Sequence, residues 1–148
     1  MEQQNLIGIA VAAPRPAPPS SSQELLHQLL DRESAETLAA VHFVIAARRT
    51  REAMIGAHLF ADAAWDILLE LYAAALTQAK MATSDLCIAS AVPATTALRW
   101  VDRLENDGLL QRHGDPLDGR RTWVELTAKG ELKMQSYFRI VRSGMQLG

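Results

Sequence analysis

Apolar residues recur at helical spacing along most of the chain, and this pattern predicts a mostly helical fold. Ser21 stands three residues before Glu24, as in a capping box, and begins a helix expected to end near Glu33. The apolar face of this helix consists of Leu25, Leu26, Leu29 and Leu30. A second, longer helix is predicted from Ser34, its cap, to Gly56, its terminator. The apolar side of the second helix consists of Leu38, Val41, Val44, Ile45 and Ile55.

A third helix is predicted from Asp62, which suits the N-cap, to about Thr77. Its large apolar side chains fall at the spacing of a buried face, at Trp65, Leu68, Leu69, Tyr72 and Leu76. Residues 79–82 are expected to form a short strand. Thr83 or Ser84 then caps a further short helix.

The stretch from 92 to 107 has the pattern of a turn followed by a second helix. Val92 and Pro93 interrupt the helical pattern, and Pro93 suits the first turn of the helix that follows. In that helix, residues 94–107, one inward stripe is predicted from Ala97, Leu98, Val101 and Leu104. The opposite face carries Thr95, Thr96, Arg99, Arg103 and Asn106.

The polar face of helix 94–107 has the chemistry of a DNA recognition surface. The small side chains of Thr95 and Thr96 allow close approach to a groove, and their hydroxyls can bond phosphates or base edges. One turn later, the planar guanidinium of Arg99 matches the O6 and N7 atoms of guanine, whereas Arg103 is placed for flanking phosphates. The N-terminal turns of a recognition helix contact the bases. We therefore predict that this helix enters the major groove of double-stranded DNA.

Gly108 is predicted to end this helix, and two strands joined by a polar turn follow it. LLQRH forms the first strand, DPLDG the turn and RRTWVEL the returning strand. Because side chains alternate along a strand, Val124 and Leu126 should both face the core. Asp118 and Gly119 suit a tight hairpin turn.

Arg120 and Arg121 stand just past the predicted turn. An arginine held at a hairpin tip can enter the minor groove, where the negative potential of DNA is strongest. Asp118 is expected to brace one of the two guanidiniums. The wing, residues 112–122, thus joins the helices in a winged helix-turn-helix, and the fold class is mostly α with a small β wing.

The segment LCIASAVPATTALRWVDRLENDGLLQRHGDPLDGRRTWVELTAKG resembles the multiple antibiotic resistance regulator (MarR) family. The likeness covers about residues 36–138 and is most specific at the wing and at LTAKG. It implies a bacterial transcriptional regulator that binds a pseudo-palindromic operator as a homodimer. The resemblance assigns recognition and wing roles to Thr95, Thr96, Arg99, Asp118, Arg120 and Arg121.

The resemblance also implies how the chain dimerises, because family members usually pair through their first and last helices. The last helix follows Thr127 and carries an apolar stripe of Met134, Phe138, Val141 and Met145. This stripe could pack on a partner or form core. Because that helix is short, we expect the N-terminal helices to supply more of the interface. An apolar pocket between the dimer helices and the DNA-binding lobe could hold a small-molecule effector.

Charge and length narrow these interpretations. The 148 residues favour one domain, residues 21–148, and the net charge of −2 excludes a strongly basic nucleic-acid binder. From Arg99 to Arg121, five arginines are offset by five acids, so DNA binding must come from the placement of charges. This balance leaves an alternative open, a winged-helix protein-interaction module without specific DNA binding.

Residues 1–20 combine the apolar run LIGIAVAA with four prolines and are expected to form a disordered tail. The apolar run could instead dock on a partner. MEQQN, before it, has no Lys or Arg, which argues against a secretory signal. No stretch is apolar over the length of a membrane span, and only one cysteine is present. We therefore expect a cytoplasmic protein without membrane contact.

Chemistry beyond DNA binding is not indicated. The four histidines lie on different predicted elements, and no phosphate loop or nucleophile elbow occurs, so neither an enzyme nor a cofactor is expected. His58, Asp62 and Asp66 recur every fourth residue, but a capping Asp62 places His58 before the helix, so no metal site is expected. Cys87 suits buried packing better than a redox switch, because no Lys, Arg or His adjoins it in sequence.

Arg48, Arg49 and Arg51 form a cluster near the end of the second predicted helix. Cations at that end oppose the helix dipole favourably. The sequence leaves two interpretations of the cluster open, a solvated last turn or a contact with phosphate.

Overall fold

The computed structural model describes residues 21–55 and 62–145, and this part of the chain is mostly helical with a small antiparallel sheet, as predicted. In chain order its elements are α1 (Ser22–Ile55), α2 (Ala63–Leu76), β1 (Met81–Ala82), α3 (Thr83–Ala89), α4 (Ala94–Asn106), β2 (Leu110–Gly114), β3 (Thr122–Leu126) and α5 (Ala128–Met145). None of the described helices combines the length and the apolar character that crossing a bilayer requires. The predicted tail 1–20, the terminator Gly56 and His58 lie outside the described residues.

α1 is one continuous helix of 34 residues, so the predicted division at Glu33 and Ser34 is wrong. Ser21 caps the helix as expected, because its Oγ accepts the backbone N–H of Glu24 at 3.2 Å. Neither Gly nor Pro occurs within the helix, and a serine alone does not break one. Across the predicted break, the hydroxyl of Thr37 donates to the carbonyl of Glu33 at 2.8 Å. Ile55, expected on the buried side, is exposed.

α2 forms the centre of the fold and contacts α1, α3, α4, α5 and β3. Asp62 is its N-cap, as predicted, and accepts the backbone N–H of Trp65 at 3.4 Å. Ile67 is fully buried, and the ring of Tyr72 stacks on that of Phe138 in α5 with centroids 5.6 Å apart. Full burial of one such side chain contributes about 1.5–3 kcal/mol. The other elements are therefore positioned by the apolar surface of this helix.

α5 packs its inner face into the same core. Met134 and Phe138 are buried, so these two residues of the apolar stripe are core. The side chain of Met145 lies outside the described residues. Arg142 ties the end of α5 to α1 by donating to Thr37 Oγ1 at 2.8 Å and to Glu36 Oε2 at 2.7 Å.

The three strands form an antiparallel sheet in the order β1-β3-β2. The short strand predicted at 79–82 is confirmed at Met81–Ala82, where Ala82 pairs with Trp123. Val124 and Leu126 are buried, as the alternation predicted. The core side of the wing is therefore fixed by the pleat of β3.

The connection between β2 and β3 spans residues 115–121, so it is wider than a two-residue hairpin. The turn predicted at Asp118 and Gly119 lies within it and is closed by the N–H of Arg121, which donates to the carbonyl of Asp118 at 3.0 Å. Two-residue hairpin turns require a positive φ, and Gly119 does not adopt one. Instead, the Asp115 carboxylate accepts the N–H of Leu117 at 2.9 Å, and the Asp118 carboxylate accepts the N–H of Arg120 at 3.0 Å. These aspartate turns favour a wider loop.

The junction between α4 and α5 explains the motif LTAKG. Gly108 ends α4 with φ +71°, as predicted, and the N–H of Leu109 returns to the carbonyl of Leu104 at 2.9 Å. Thr127 Oγ1 accepts the N–H of Gly130 at 3.1 Å while its hydroxyl donates to the carbonyl of Gly108 at 2.6 Å. Gly130 lies so close to the carbonyl of Leu109 that a Cβ there would overlap it.

The Gly130→Ala substitution is therefore expected to lower the free energy of unfolding by about 2 kcal/mol, because the added methyl forces backbone apart. Urea denaturation followed by circular dichroism measures this loss. Gly119→Ala is the matched control, because a Cβ at Gly119 meets no atom within 4 Å. Its effect should stay within about 0.5 kcal/mol, and equal losses in the two variants would contradict the account of LTAKG.

Candidate nucleic-acid interface

α3 begins at the sheet and without a side-chain cap. Its N-cap is Ala82, so the predicted caps Thr83 and Ser84 are wrong. The hydroxyl of Thr83 donates instead to the carbonyl of Thr122 in β3 at 3.0 Å. The first helix of the helix-turn-helix is thereby attached to the wing.

The turn between α3 and α4 has a strained backbone. Ala91 adopts φ +55°, a left-handed conformation that costs a residue other than glycine about 1–2 kcal/mol. The preceding Ser90 is fully buried, and its hydroxyl donates to the carbonyl of Cys87 at 2.9 Å. Pro93 is the N-cap of α4, one position before the first turn in which it was predicted, and its carbonyl accepts the N–H of Ala97 at 3.0 Å.

The inner face of α4 fixes its rotation about its own axis. Ala97, Val101 and Leu104 are buried, as predicted. Leu98, predicted in the same stripe, is 39% exposed. Because successive residues are about 100° apart on a helix, a side chain next to Ala97 leaves the buried stripe.

The outer face of α4 carries the predicted recognition residues. Thr95, Thr96, Arg99 and Arg103 are all exposed. Among the described residues, Arg99 has neither an ion pair nor a hydrogen bond for its guanidinium, whereas the guanidinium of Arg103 lies over the ring of Trp100, 5.5 Å from its centroid. No side chain caps the helix start, so its first N–H groups are not blocked by one.

Arg112 of the wing is used internally. Its guanidinium pairs with Asp102 at 2.8 Å, and its Nε donates to Glu105 Oε2 at 3.0 Å. Its backbone N–H also donates to Glu105 Oε1, at 3.1 Å. The hydrogen bond from Arg112 lowers the pKa of Glu105, and the same bond raises the pKa of Arg112. These ion pairs attach β2 to α4. Arg112, Asp102 and Glu105 neutralise one another and are therefore not available to bind or repel DNA.

The wing tip separates its two arginines into different environments. The carbonyl of Asp118 accepts the N–H of Arg121 at 3.0 Å, and its carboxylate holds the N–H of Arg120. The prediction that Asp118 braces a guanidinium is therefore corrected, because it braces the backbone. The guanidinium of Arg121 lies 3.6 Å from Asp115 and 5.3 Å from the ring centroid of Trp123. Within the described chain, that of Arg120 has no such partner.

The sequence did not predict that Asp115 and Trp123 contact the guanidinium of Arg121. The outward position of Trp123 is predictable from the alternation of side chains along β3, because the buried Val124 and Leu126 point to the other face of the strand. Asp115 carries no such signal, since its role depends on the width of the loop. Together these two residues hold Arg121, one of the two arginines of the wing.

Cys87 is buried, as expected for packing, and burial raises the pKa of its thiol. A raised pKa disfavours the reactive thiolate and does not support a redox switch at this position. Within the described ranges, no three His, Cys, Asp or Glu side chains cluster as metal ligands.

Where its side chains are described, the arginine cluster of α1 is held in ion pairs, so neither a simply solvated last turn nor a free phosphate contact describes Arg48 and Arg49. Arg48 Nε donates to Asp66 of α2 at 2.7 Å. Arg49 pairs with Glu52 at 3.0 Å. The side chain of Arg51 lies outside the described residues.

Comparison with known proteins agrees with this geometry. Residues 65–130 match the family of the winged helix DNA-binding domain, which confirms the predicted winged helix. No curated protein is detectably similar in sequence.

Among solved structures, the fold is similar to that of S. aureus MepR in a DNA complex, with 19% identity over 83% of this chain and 87% of that one and a TM-score of 0.53. It is also similar to S. aureus MepR in its DNA-binding conformation, with 20% identity, 86% and 82% coverage and a TM-score of 0.50. The transcriptional regulator PA4135 is 21% identical, with 87% and 81% coverage and a TM-score of 0.50. These likenesses establish the fold.

The ion pair of Arg112 and Glu105 predicts a pH dependence. A lowered pKa means that the Glu105 carboxylate stabilises the folded chain above its ordinary value of 4.5, and that this contribution is lost as the pH falls through the lower folded value. Glu105→Gln should therefore lower the free energy of unfolding at pH 7, and the difference from wild type should shrink below pH 4.5. Urea denaturation of the wild type and of Glu105→Gln, at pH 7 and at a pH below 4.5, measures the difference in unfolding free energy. A difference that does not change with pH would contradict the assignment.

Proposed function

We propose that the chain is a sequence-specific DNA-binding transcriptional regulator that acts as a homodimer on a pseudo-palindromic operator. The observation that carries the proposal is the exposed face of α4, which presents the hydroxyls of Thr95 and Thr96 beside Arg99, a guanidinium with no ion pair among the described residues. The match to the winged helix DNA-binding domain and the shared fold with MepR, which has been solved with DNA, support it. The proposal includes no catalytic activity, and it places the protein in the bacterial cytoplasm, where its DNA target is.

In this proposal α4 enters the major groove by its N-terminal turns. Thr95 and Thr96 contact base edges or phosphates, and Arg99 donates two hydrogen bonds to a guanine. Arg103, which lies over Trp100, contacts the flanking phosphates. The absence of a side-chain cap favours phosphate at the helix start, because free N–H groups and the helix dipole attract anions there.

The wing supplies the second contact. Arg120, whose guanidinium has no partner among the described side chains, enters the minor groove, and Arg121, held between Asp115 and Trp123, flanks it. Asp118 holds the backbone of both arginines. A loop constrained in this way loses little conformational entropy on binding.

Dimerisation is supported by the start of α1. Leu25, Leu26, Leu29 and Leu30 are 47%, 59%, 53% and 53% exposed. Four neighbouring leucines on one helix face form an apolar patch of the kind that marks protein interfaces. We place the second copy on this face. Two copies would present their α4 helices about 34 Å apart, one turn of DNA.

A small-molecule effector is the remaining part of the proposal. A cleft of about 350 Å³ between α2 and α5 lies within the size range of ligand pockets. Tyr72 and Leu76 supply apolar lining, and Glu131 and Gln135 supply polar groups. An effector bound there would contact the core helix of the DNA-binding lobe.

Replacement of Arg99 by Ala is expected to weaken binding to a duplex selected from random DNA by about 1–3 kcal/mol and to relax its sequence preference, because a base contact is lost. Arg120→Ala should weaken binding to all sequences and reduce the slope of log affinity against log salt by about 1. Gel-shift titrations at two salt concentrations measure both effects.

Lys133→Ala is the charge-matched control for both variants, because Lys133 is an exposed cation on α5, a helix outside the proposed interface. It should bind as the wild type does. Unchanged binding by the Arg99 and Arg120 variants would refute the proposed interface. Absence of salt-sensitive DNA binding by the wild type, with a protein partner retained in pull-downs, would support the protein-interaction alternative.

The leucine face gives a separate expectation. Leu26→Glu should shift the protein from dimer to monomer, because a carboxylate would be buried in an apolar interface. Gln28→Glu introduces the same charge on another face of the same segment and should leave the dimer intact. Analytical ultracentrifugation distinguishes these results, and a dimeric Leu26→Glu protein would place the interface elsewhere.

A further inference from the structure

Arg49 contacts three helices of the fold from its position in α1. Its guanidinium pairs with Glu52 of the same helix at 3.0 Å and lies 3.7 Å from Asp66 of α2. It also donates a hydrogen bond to the backbone carbonyl of Ala89, the last residue of α3. The Arg49 side chain therefore links α1 and α2 to the C-terminal end of α3.

The partners of Arg49 are groups that need a cation. The side chain of Asp66 is 6% exposed and that of Glu52 is 11% exposed, and buried carboxylates are stable only when paired. The carbonyl of Ala89 lies at the negative end of the α3 dipole, where a guanidinium is favourable. Arg49 thus serves as a C-terminal cap for α3 that is supplied by another helix.

This cap lies two residues before the strained position of the turn. Ala91, with φ +55°, needs surrounding contacts to keep its left-handed conformation. The turn sets the angle between α3 and α4, so a change at Ala89 is transmitted to α4 over residues 90–93. A helix that contacts base edges tolerates only small changes in that angle.

We propose that Arg49 is a positioning residue for DNA recognition, which holds the helix-turn-helix turn through the carbonyl of Ala89 and so sets the orientation of α4 relative to α1. This inference rests on the proposed function, since it assigns Arg49 a part in sequence discrimination. Arg49 does not itself contact DNA. Base contacts depend on the orientation of α4 more than phosphate contacts do, so Arg49 acts on specificity rather than on general affinity.

Arg48 provides the matched control, because it pairs with Asp66 as Arg49 does but makes no hydrogen bond to Ala89 of α3 among the described residues. It donates to Asp66 at 2.7 Å and lies 3.8 Å from the carboxylate of Asp62. Its side chain is 12% exposed, less than the 33% of Arg49. Removing Arg48 should therefore cost at least as much stability, while the contact with Ala89 persists.

The experiment compares Arg49→Met, Arg49→Lys and Arg48→Met with the wild type, at a temperature where circular dichroism shows all four to be folded. Affinity is measured for a duplex that the wild type has selected from random DNA and for an unselected duplex. Amide hydrogen exchange of residues 90–92 is measured in the free proteins. The exchange requires no DNA and reports the turn directly.

Arg49→Met should reduce the ratio of selected to unselected affinity roughly tenfold and raise exchange at 90–92. Arg49→Lys should recover part of the ratio, because an ammonium can still donate to Ala89 but cannot bridge as many acceptors. Arg48→Met should change neither quantity.

Unchanged exchange in Arg49→Met would overturn the inference, and so would raised exchange with an unchanged affinity ratio. An equal loss of the ratio in Arg48→Met would also overturn it, since the effect would then be general destabilisation. If the wild type selects no DNA, the proposed function fails and the recognition role of Arg49 fails with it. Raised exchange in Arg49→Met would then show only that Arg49 holds the turn.

Discussion

The packing of α2 positions the other helices of the described chain. Ile67 and Leu69 of this helix are fully buried, and the helix contacts all four other described helices and β3. Its position therefore fixes both the N-terminal helix and the winged helix-turn-helix. The carboxylate of Asp66 is buried on the same helix, and the arginines of α1 satisfy it there. Apolar packing sets the distance between α1 and α2, and the ion pairs of Asp66 with Arg48 and Arg49 determine which faces of these two helices are in contact.

Internal pairing explains how a chain with a net charge of −2 can still leave arginines of α4 and of the wing without an acidic partner among the described residues. Arg112 is neutralised by Asp102 and Glu105, and Arg121 by Asp115. These acids offset the wing arginines in the sequence, yet in the structure they anchor some cations and leave others free. Arg99 and Arg120 stay unpaired within the described residues. The distribution of charge therefore supports DNA binding, although the net charge does not.

Local patterns in the sequence predicted most of the fold, because periodicity and glycine placement act over a few residues. The faces of α4 and β3 and the end of α4 at Gly108 followed from such patterns. The predicted division of α1 at Ser34 was wrong, because a residue that can cap a helix does not start a new one when no glycine or proline ends the helix before it. The roles of Arg49 and Asp115 could not be predicted, since their partners are set by tertiary packing or by loop width.

In the proposed function, two copies of α4 contact DNA with sequence preference. The decisive measurement is selection of bound duplexes from a random pool, coupled to a mass measurement of the complex. We expect an enriched pseudo-palindrome, with half-sites about 10 base pairs apart and two chains on each duplex. A pool that shows no enrichment, or a complex with one chain on an asymmetric site, would contradict it.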